Sequence, residues 1–542
     1  MSGADATAAP GAGVDRRTFL AGLVATALAA GCSGDDGGAG EGAGPDGDRT
    51  TTTVDLPPLP DGLPAELFTL GVASGDPLPD SVVLWTRLVA DPLADGGGLP
   101  AESVPVRWEV AADESFADVV AQGGAVAEPA LAHSVHVDPG GLDPDTWYWY
   151  RFTVGDRVSP AGRTRTAPAS DARPDRLRFA FASCQDRQDG YWGAHEHLAA
   201  EDVDLVVFLG DYVYEGGPID DAVRTAETPE PVDLAGYRRR YGEYKRDPLL
   251  QASHVRAPWV CTWDDHEVVD NYAGDSGAVP EGTSGGFAER RAAAYQAYYE
   301  HMPVRVDPLD GDELTLHRRV AWGTLVQFLV LDTRQHRSDQ ACDLDRDLGP
   351  ACDEVDADGR TMLGEVQEAW LGEALDASEA TWNVLAQQVV LSKITVPLGP
   401  IELTNLDQWD GYGAARRRLV DQLRGAGNPV VITGDIHASG VAVVTDDPDD
   451  ATTPAVATEL VGTSISSTFP EELVAVVEQA GAQSPAVRYV EASRRGYVVC
   501  EVTADELRAE FRYVSTTQEP AATAETGATW LVRSGSPEPT RL

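Results

Sequence analysis

Four stretches of this 542-residue chain combine side chains that bind cations or move protons. They are "FASC" ending at Cys184, "FLGDYVYE" with Asp211 and Tyr214, "TWDDHEVVDNY" with Asp265, His266 and Asn271, and "VITGDIH" with Asp435 and His437. Taken singly, each has an ordinary reading: Gly-Asp after a strand is a turn and its cap, and an isolated His or Cys is a core residue. Their co-occurrence changes this. Several carboxylates gathered in one crevice repel unless cations neutralise them, so the set points to a site holding more than one metal ion.

The elements needed to gather these residues can be read from the apolar runs that precede them. "LRFAFASC", "VDLVVFLGDY", "APWVCTWDDH", "TLVQFLVLDTR" and "NPVVITGDIH" are each a strand-length run ending on polar or acidic residues. Longer helical stretches such as "GGFAERRAAAYQAYYEHM" separate them, which predicts a layered α/β domain over residues 176–515. In such sheets ligands bind outside the carboxyl ends of the strands, where these five runs deliver their polar residues. Before it, residues 65–168 hold short alternating segments such as "VPVRWEVAA" and "TWYWYRFTV", which predict a small β-sandwich. "GLDPDTWYWYRF" resembles the tyrosine corner of fibronectin type III-like domains, carried by Leu142, Pro144, Thr146 and Tyr148.

Residues 33–64 are rich in Gly, Asp, Ala, Thr and Pro and read as a flexible acidic linker. Residues 516–542 read as a C-terminal tail. The net charge is −47, from 41 Lys and Arg against 88 Asp and Glu. That balance argues against a sequence-specific nucleic-acid partner, whose binding needs cations against phosphates. It does not repel a small phosphate ester from a metal site, because exposed charges more than about 8 Å away are largely screened at physiological salt.

Residues 1–32 read as an address. Arg16 and Arg17, then Phe19-Leu20 and an apolar run to Ala30, resemble a twin-arginine export signal. Cys32 after "LAAG" resembles a lipoprotein cleavage box, which would add a lipid anchor. The expected location is outside the cell or at its surface, periplasmic or lipid-anchored, after passage through the twin-arginine export machinery. In that compartment Cys342 and Cys352, which bracket an acidic loop, are disulfide candidates, the alternative being a free surface pair. Cys261 and Cys500 lie inside apolar strands and read as buried hydrophobes. His195 and His197 read as helix residues, and Arg416, Arg417 and Arg418 as a solvated helix face.

The order and wording of the four motifs resemble the calcineurin-like metallophosphoesterase superfamily, with Cys184 in the first block, Asp265-His266-Glu267 in the third and Gly434-Asp435-Ile436-His437 in the fourth. Those departures from the general pattern are the wording of the PhoD-like alkaline phosphatase and phosphodiesterase family. "FTLGVASGDPLPDSVVLWTRL" and "DQWDGYGAARRR" resemble it too, so the likeness runs from about Phe68 to Val514. It implies an αββα sandwich behind a fibronectin type III-like domain. It also implies ferric iron on Cys184, Asp211, Tyr214 and His437, and calcium bridged by Asp211 and bound with help from Asp265, Asn271 and Asp435. His266 would protonate the leaving group.

The donor chemistry agrees with that implication: thiolate and phenolate favour a trivalent iron, and carboxylate and amide oxygens favour calcium. The expected activity is hydrolysis of phosphate monoesters or diesters by a metal-activated hydroxide or oxide. Small phosphate esters, phospholipids and nucleotide esters are the candidate substrates, and the protein is expected to be a monomer. Three alternatives stand beside it: a phospholipase D-like phosphodiesterase, a non-catalytic surface binding protein that keeps the fold, and a serine or threonine hydrolase. "ASGDP" and "GTSISS" supply serines for the last, but neither is a Gly-x-Ser-x-Gly elbow.

Overall fold

Strands buried on both faces read as unbroken apolar runs, and six such strands form the centre of the molecule. The structure is a computed structural model and describes residues 50–52, 55–281, 283, 285–309, 313–342, 348–398 and 401–542. Leu177–Ala182, Leu205–Phe208 and Trp259–Cys261 pair in parallel within a ten-stranded sheet. Val326–Val330, Trp382–Ala386 and Pro429–Thr433 pair in parallel within a seven-stranded sheet. Apart from Arg178, every residue of the six strands is buried.

The strand period of two divides their side chains between two cores. Phe179, Phe181, Leu205 and Val207 meet Val326, Phe328, Val384 and Ile432 between the sheets. There Phe179 sits edge-on to Phe328 at 5.1 Å between ring centroids. The intervening Ala180, Ala182, Val206 and Phe208 share a core with residues of the helices Leu234–Lys245 and Phe287–His301. Leu329, Leu385 and Val431 do the same with Gly364–Asp376 and Gly413–Leu423. The layers are therefore helix, sheet, sheet, helix, as the resemblance implies.

The N-terminal β-sandwich is present, with its own core of Val104, Val106, Trp108, Tyr150 and Phe152 against Val72, Val82 and Leu84. At its corner the Asp143 N–H donates to the hydroxyl of Tyr148 at 2.9 Å. One of its two sheets is not separate from the catalytic layers. Val72–Gly75, Val83–Arg87 and Ser134–Val137 continue the ten-stranded sheet through a parallel pairing of Gly75 with Trp259. Residues Arg49–Leu542 accordingly form one compact unit.

Lys245, at the end of its helix, lies buried across this junction. Its Nζ is 4.2 Å from the centre of the Trp85 ring and donates to the Tyr212 hydroxyl at 3.2 Å. Burial pushes its pKa down from 10.5 to about 7.

Several expectations need correction. The segment 516–542 is not a tail: Ala524–Arg533 and Ser536–Arg541 are the last two strands of the ten-stranded sheet, and they bury Trp530, Leu531 and Val532. Its low apolar content reflects the largely exposed edge strand Ser536–Arg541 and the exposed start of Ala524–Arg533. The end of the linker is likewise ordered, Thr50–Thr52 pairing in parallel with Ala121–Gly123. Arg416 is not solvated; it is buried against Asp410. Cys342 and Cys352 are bridged, with their Cα atoms 5.8 Å apart. The proposed export segment, Cys32 included, lies outside the described residues. Among the described residues no helix is long and apolar enough to cross a membrane.

Two stability measurements test these points. Trp530→Ala should lower unfolding free energy by about 3–5 kcal/mol, the usual range for emptying a buried Trp site, read by denaturant unfolding; no loss would mean the final strands are dispensable. For Lys245 the sign follows from its depressed folded pKa. Burying the ammonium carries a cost that is complete below about pH 7 and fades as pH rises toward the unfolded value near 10.4. The stability gap between Lys245→Met and the wild type should shift toward the wild type over that window, measured as Tm against pH.

Candidate metal centre

The strand ends converge because the strands are parallel, but side chains leave a strand end sideways only if the backbone turns. Here it turns through the left-handed region. Cys184, Asp211, Asn271, Asp435 and His437 have φ of 57°, 55°, 52°, 63° and 55°. Asp, Asn and His are the non-glycine residues found there most often, whereas Cys has no such preference. Each such residue costs on the order of 1–3 kcal/mol and persists only where its surroundings hold it.

The two Gly-Asp pairs have a steric explanation. A Cβ on Gly210 would lie 2.5 Å from the Asp264 Cβ, and one on Gly434 would lie 2.3 Å from the Ser183 Oγ. These glycines let neighbouring strand ends close to contact distance.

Two groups of donors result, both containing Asp211. Ligand atoms of Cys184, Asp211 and His437 lie within 4.8 Å of one another, as do those of Asp211, Asp264 and Asp265. The Tyr214 hydroxyl joins the first group: it donates to Asp211 Oδ2 at 2.9 Å and is 3.1 Å from His437 Nε2. Ser467 donates to the same hydroxyl at 2.8 Å. His437 is oriented by its other nitrogen, since Nδ1 is 2.8 Å from the Thr468 carbonyl. That contact assigns the proton to Nδ1 and leaves the Nε2 lone pair facing Asp211 and Tyr214.

The second group and the neighbouring Asp435 are held from behind. Asn271 donates its backbone N–H to Asp265 Oδ2 at 2.7 Å. Gln408 donates to Asp435 Oδ2 at 2.6 Å. Ligand atoms of Asp265, His266 and Asp270 form a third cluster at the rim. The His266 ring stacks on Tyr214 at 4.1 Å, with Nδ1 on Glu215 Oε2 at 2.7 Å. Its Nε2 lies 3.9 Å from Asp265 and 3.8 Å from Asp270.

All eight residues singled out at the strand ends thus lie in or beside one crevice. Asp264, Glu267, Arg334, Asp407, Gln408 and Ser467 belong there too and were not singled out. Each lies in a stretch already quoted: Asp264 and Glu267 in "TWDDHEVVDNY", Arg334 at the end of "TLVQFLVLDTR", Asp407 and Gln408 at the start of "DQWDGYGAARRR" and Ser467 at the end of "GTSISS". Glu267 holds the loops together, accepting from the backbone N–H of Asp211 (3.0 Å), Tyr212 (2.6 Å) and Asp264 (2.8 Å). His195 is a buried structural residue, bonded to Gln185 and Ser253.

Burial favours the neutral form of each group. It raises the pKa of the Cys184 thiol, the Tyr214 phenol and the Asp211 and Asp264 carboxyls well above their usual ranges, and nearby carboxylates add to the effect. It pushes Asp435 up to about 7 and His437 down to about 4. At Asp265 the same burial is outweighed by Arg334 and His266, which hold it at about 2. At His266 burial is outweighed in turn by Glu215, Asp265 and Asp211, which raise it.

This is a donor set that calls for cations to ionise. Asp264 Oδ2 is buried and accepts no hydrogen bond among the described residues, which leaves its lone pairs for an ion, while Asp265 Oδ1 meets only the Arg334 Nη2 at 3.2 Å. Thiol, phenol and imidazole on one side of Asp211 suit a transition metal, and carboxylates alone on the other suit an oxygen-binding cation.

Facing sheets between helical layers, with such donors at the parallel strand ends, make the layered sandwich of the metallophosphoesterase fold. Residues 179–511 match the PhoD-like phosphatase family and residues 60–168 match the PhoD-like phosphatase N-terminal domain, and the chain belongs to this family. It is 45% identical over 475 residues to alkaline phosphatase D of Bacillus subtilis (strain 168), covering 86% of this chain and 80% of that protein. The solved structure of PhoD superposes with a TM-score of 0.83 at 42% identity, over 89% of this chain and 93% of that one.

Glu267→Gln should test the loop staple. It replaces an acceptor oxygen by an amide that faces backbone donors, so stability should fall by about 1–3 kcal/mol, measured by denaturant unfolding of the full chain.

Proposed function

We propose that this phosphoesterase is an exported, metal-dependent enzyme of the alkaline phosphatase D type, carrying ferric iron and calcium and hydrolysing phosphate monoesters, diesters or both. The observation that carries the metal assignment is the division of donors about Asp211. Cys184, Tyr214 and His437 would hold iron with Asp211; Asp265, Asn271 and Asp435 would hold calcium, sharing Asp211. When bound, the ions would polarise the phosphoryl oxygens and activate the attacking water.

The chain's own residues do the rest. Ser467 donates to Tyr214 and the Thr468 carbonyl fixes the His437 tautomer, so both donors are oriented before an ion arrives. Glu215 takes up Nδ1 of His266, which leaves Nε2 as the atom able to pass a proton to the departing alkoxide. The backbone turns at Cys184 and Asp435 present their side chains to the crevice. Export through the Arg16-Arg17 signal supports the use of iron: a twin-arginine route carries folded proteins, so the thiolate of Cys184 would meet its metal before an oxidising compartment.

Metal analysis of the purified full chain, paired with assays on p-nitrophenyl phosphate and bis-p-nitrophenyl phosphate, tests the proposal. Iron and calcium are expected, with a visible absorption band from phenolate on iron that Tyr214→Phe abolishes. His266→Gln should reduce kcat by about 10²–10⁴-fold, the usual share of general acid catalysis, without loss of either metal. Zinc or manganese in place of iron would refute the metal assignment. Full metal occupancy without hydrolysis of either ester would leave a binding protein instead.

A further inference from the structure

Arg334 has no exposed side-chain surface and lies among four carboxylates. It follows the Val326–Val330 strand of the seven-stranded sheet. Its Nε pairs with Asp264 Oδ1, while Nη1 and Nη2 take both oxygens of Asp407 at 2.7 and 2.8 Å. The same Nη2 lies 3.2 Å from Asp265 Oδ1 and 3.5 Å from Asp435 Oδ1. Asp407 is fixed in turn by Arg337 Nη1 at 2.6 Å and Gln340 Nε2 at 3.0 Å.

Asp264 and Asp265 follow a strand of the ten-stranded sheet, and Asp435 follows a strand of the other. One planar guanidinium therefore spans the gap between the sheets and touches a carboxylate from each. We propose that Arg334, anchored by Asp407, is a positioning residue that sets the separation of Asp265 and Asp435 so that both can bind calcium. This rests on the calcium reading given above.

A competing description has the opposite sign. If Arg334 contributed only positive charge, it would oppose a cation nearby, and removing it would tighten calcium binding. If it positions the ligands, removing it weakens calcium binding although a repulsive charge has gone. Partners that orient metal ligands typically contribute 10–100-fold to metal affinity. Lysine separates the two further, because it keeps the charge but cannot form the planar fork.

The test is calcium titration of the iron-loaded full chain after chelation, by calorimetry, for wild type, Arg334→Gln and Arg334→Lys. Iron content and the visible band are followed in parallel, since Cys184, Tyr214 and His437 do not contact Arg334. The expected result is a loss of calcium affinity of about 10–100-fold in Arg334→Gln and a clear loss in Arg334→Lys, with iron and its band unchanged. Unchanged or tighter calcium binding in either variant overturns the proposal. Should Arg334→Gln fail to fold, Arg334→Lys decides, since charge alone predicts no change there. A wild type that takes up no calcium removes the reading underneath; a wild type that does, beside a Lys variant of equal affinity, removes the positioning role alone.

Discussion

Mutual repulsion among buried carboxylates is the constraint around which this molecule is built. Asp211, Asp264 and Asp265 bring ligand atoms within 4.8 Å of one another, and at that distance two full charges repel by about 3–4 kcal/mol at an effective dielectric near 20. The fold answers in two ways. Arg334 supplies one permanent buried cation and, with Arg337 behind it, holds Asp407 ionised against the cost of burial. The remaining imbalance is left to ions, and the buried Asp264 Oδ2, which accepts no hydrogen bond among the described residues, marks where that imbalance is located.

The same constraint explains the strained backbone. Like charges would splay apart on flexible loops, so the crevice uses strand ends turned through the left-handed region and stapled by Glu267. Two packed sheets and two helical layers supply the rigidity that holds these turns. The N-terminal sandwich contributes as well, because its sheet runs on into the catalytic sheet and its Trp85 covers Lys245, which touches the residue next to Asp211.

Much of this was legible in the chain. Unbroken apolar runs gave the buried parallel strands, and the polar residues closing them gave the crevice, because a strand has only one carboxyl end. The corner motif at Leu142 to Tyr148 gave the sandwich. What escaped were features without a local signature. Strand Ala524–Arg533 begins with small and polar residues before Trp530, and Arg416 looks like its half-exposed neighbours Arg417 and Arg418 until Asp410 is folded beneath it.

The sequence by itself determined the residue types of the site, their order along the chain and the class of chemistry they suit. These depend on side-chain identity and on strand period, both local. Tertiary structure decided which of Asp264 and Asp265 faces which partner, that Arg334 bridges the sheets to Asp407, and that the two expected domains share one sheet. Those outcomes depend on distances between segments far apart in the chain, such as Gly75 and Trp259 or Arg334 and Asp407. No local pattern encodes such distances, because they are set by how the layers pack.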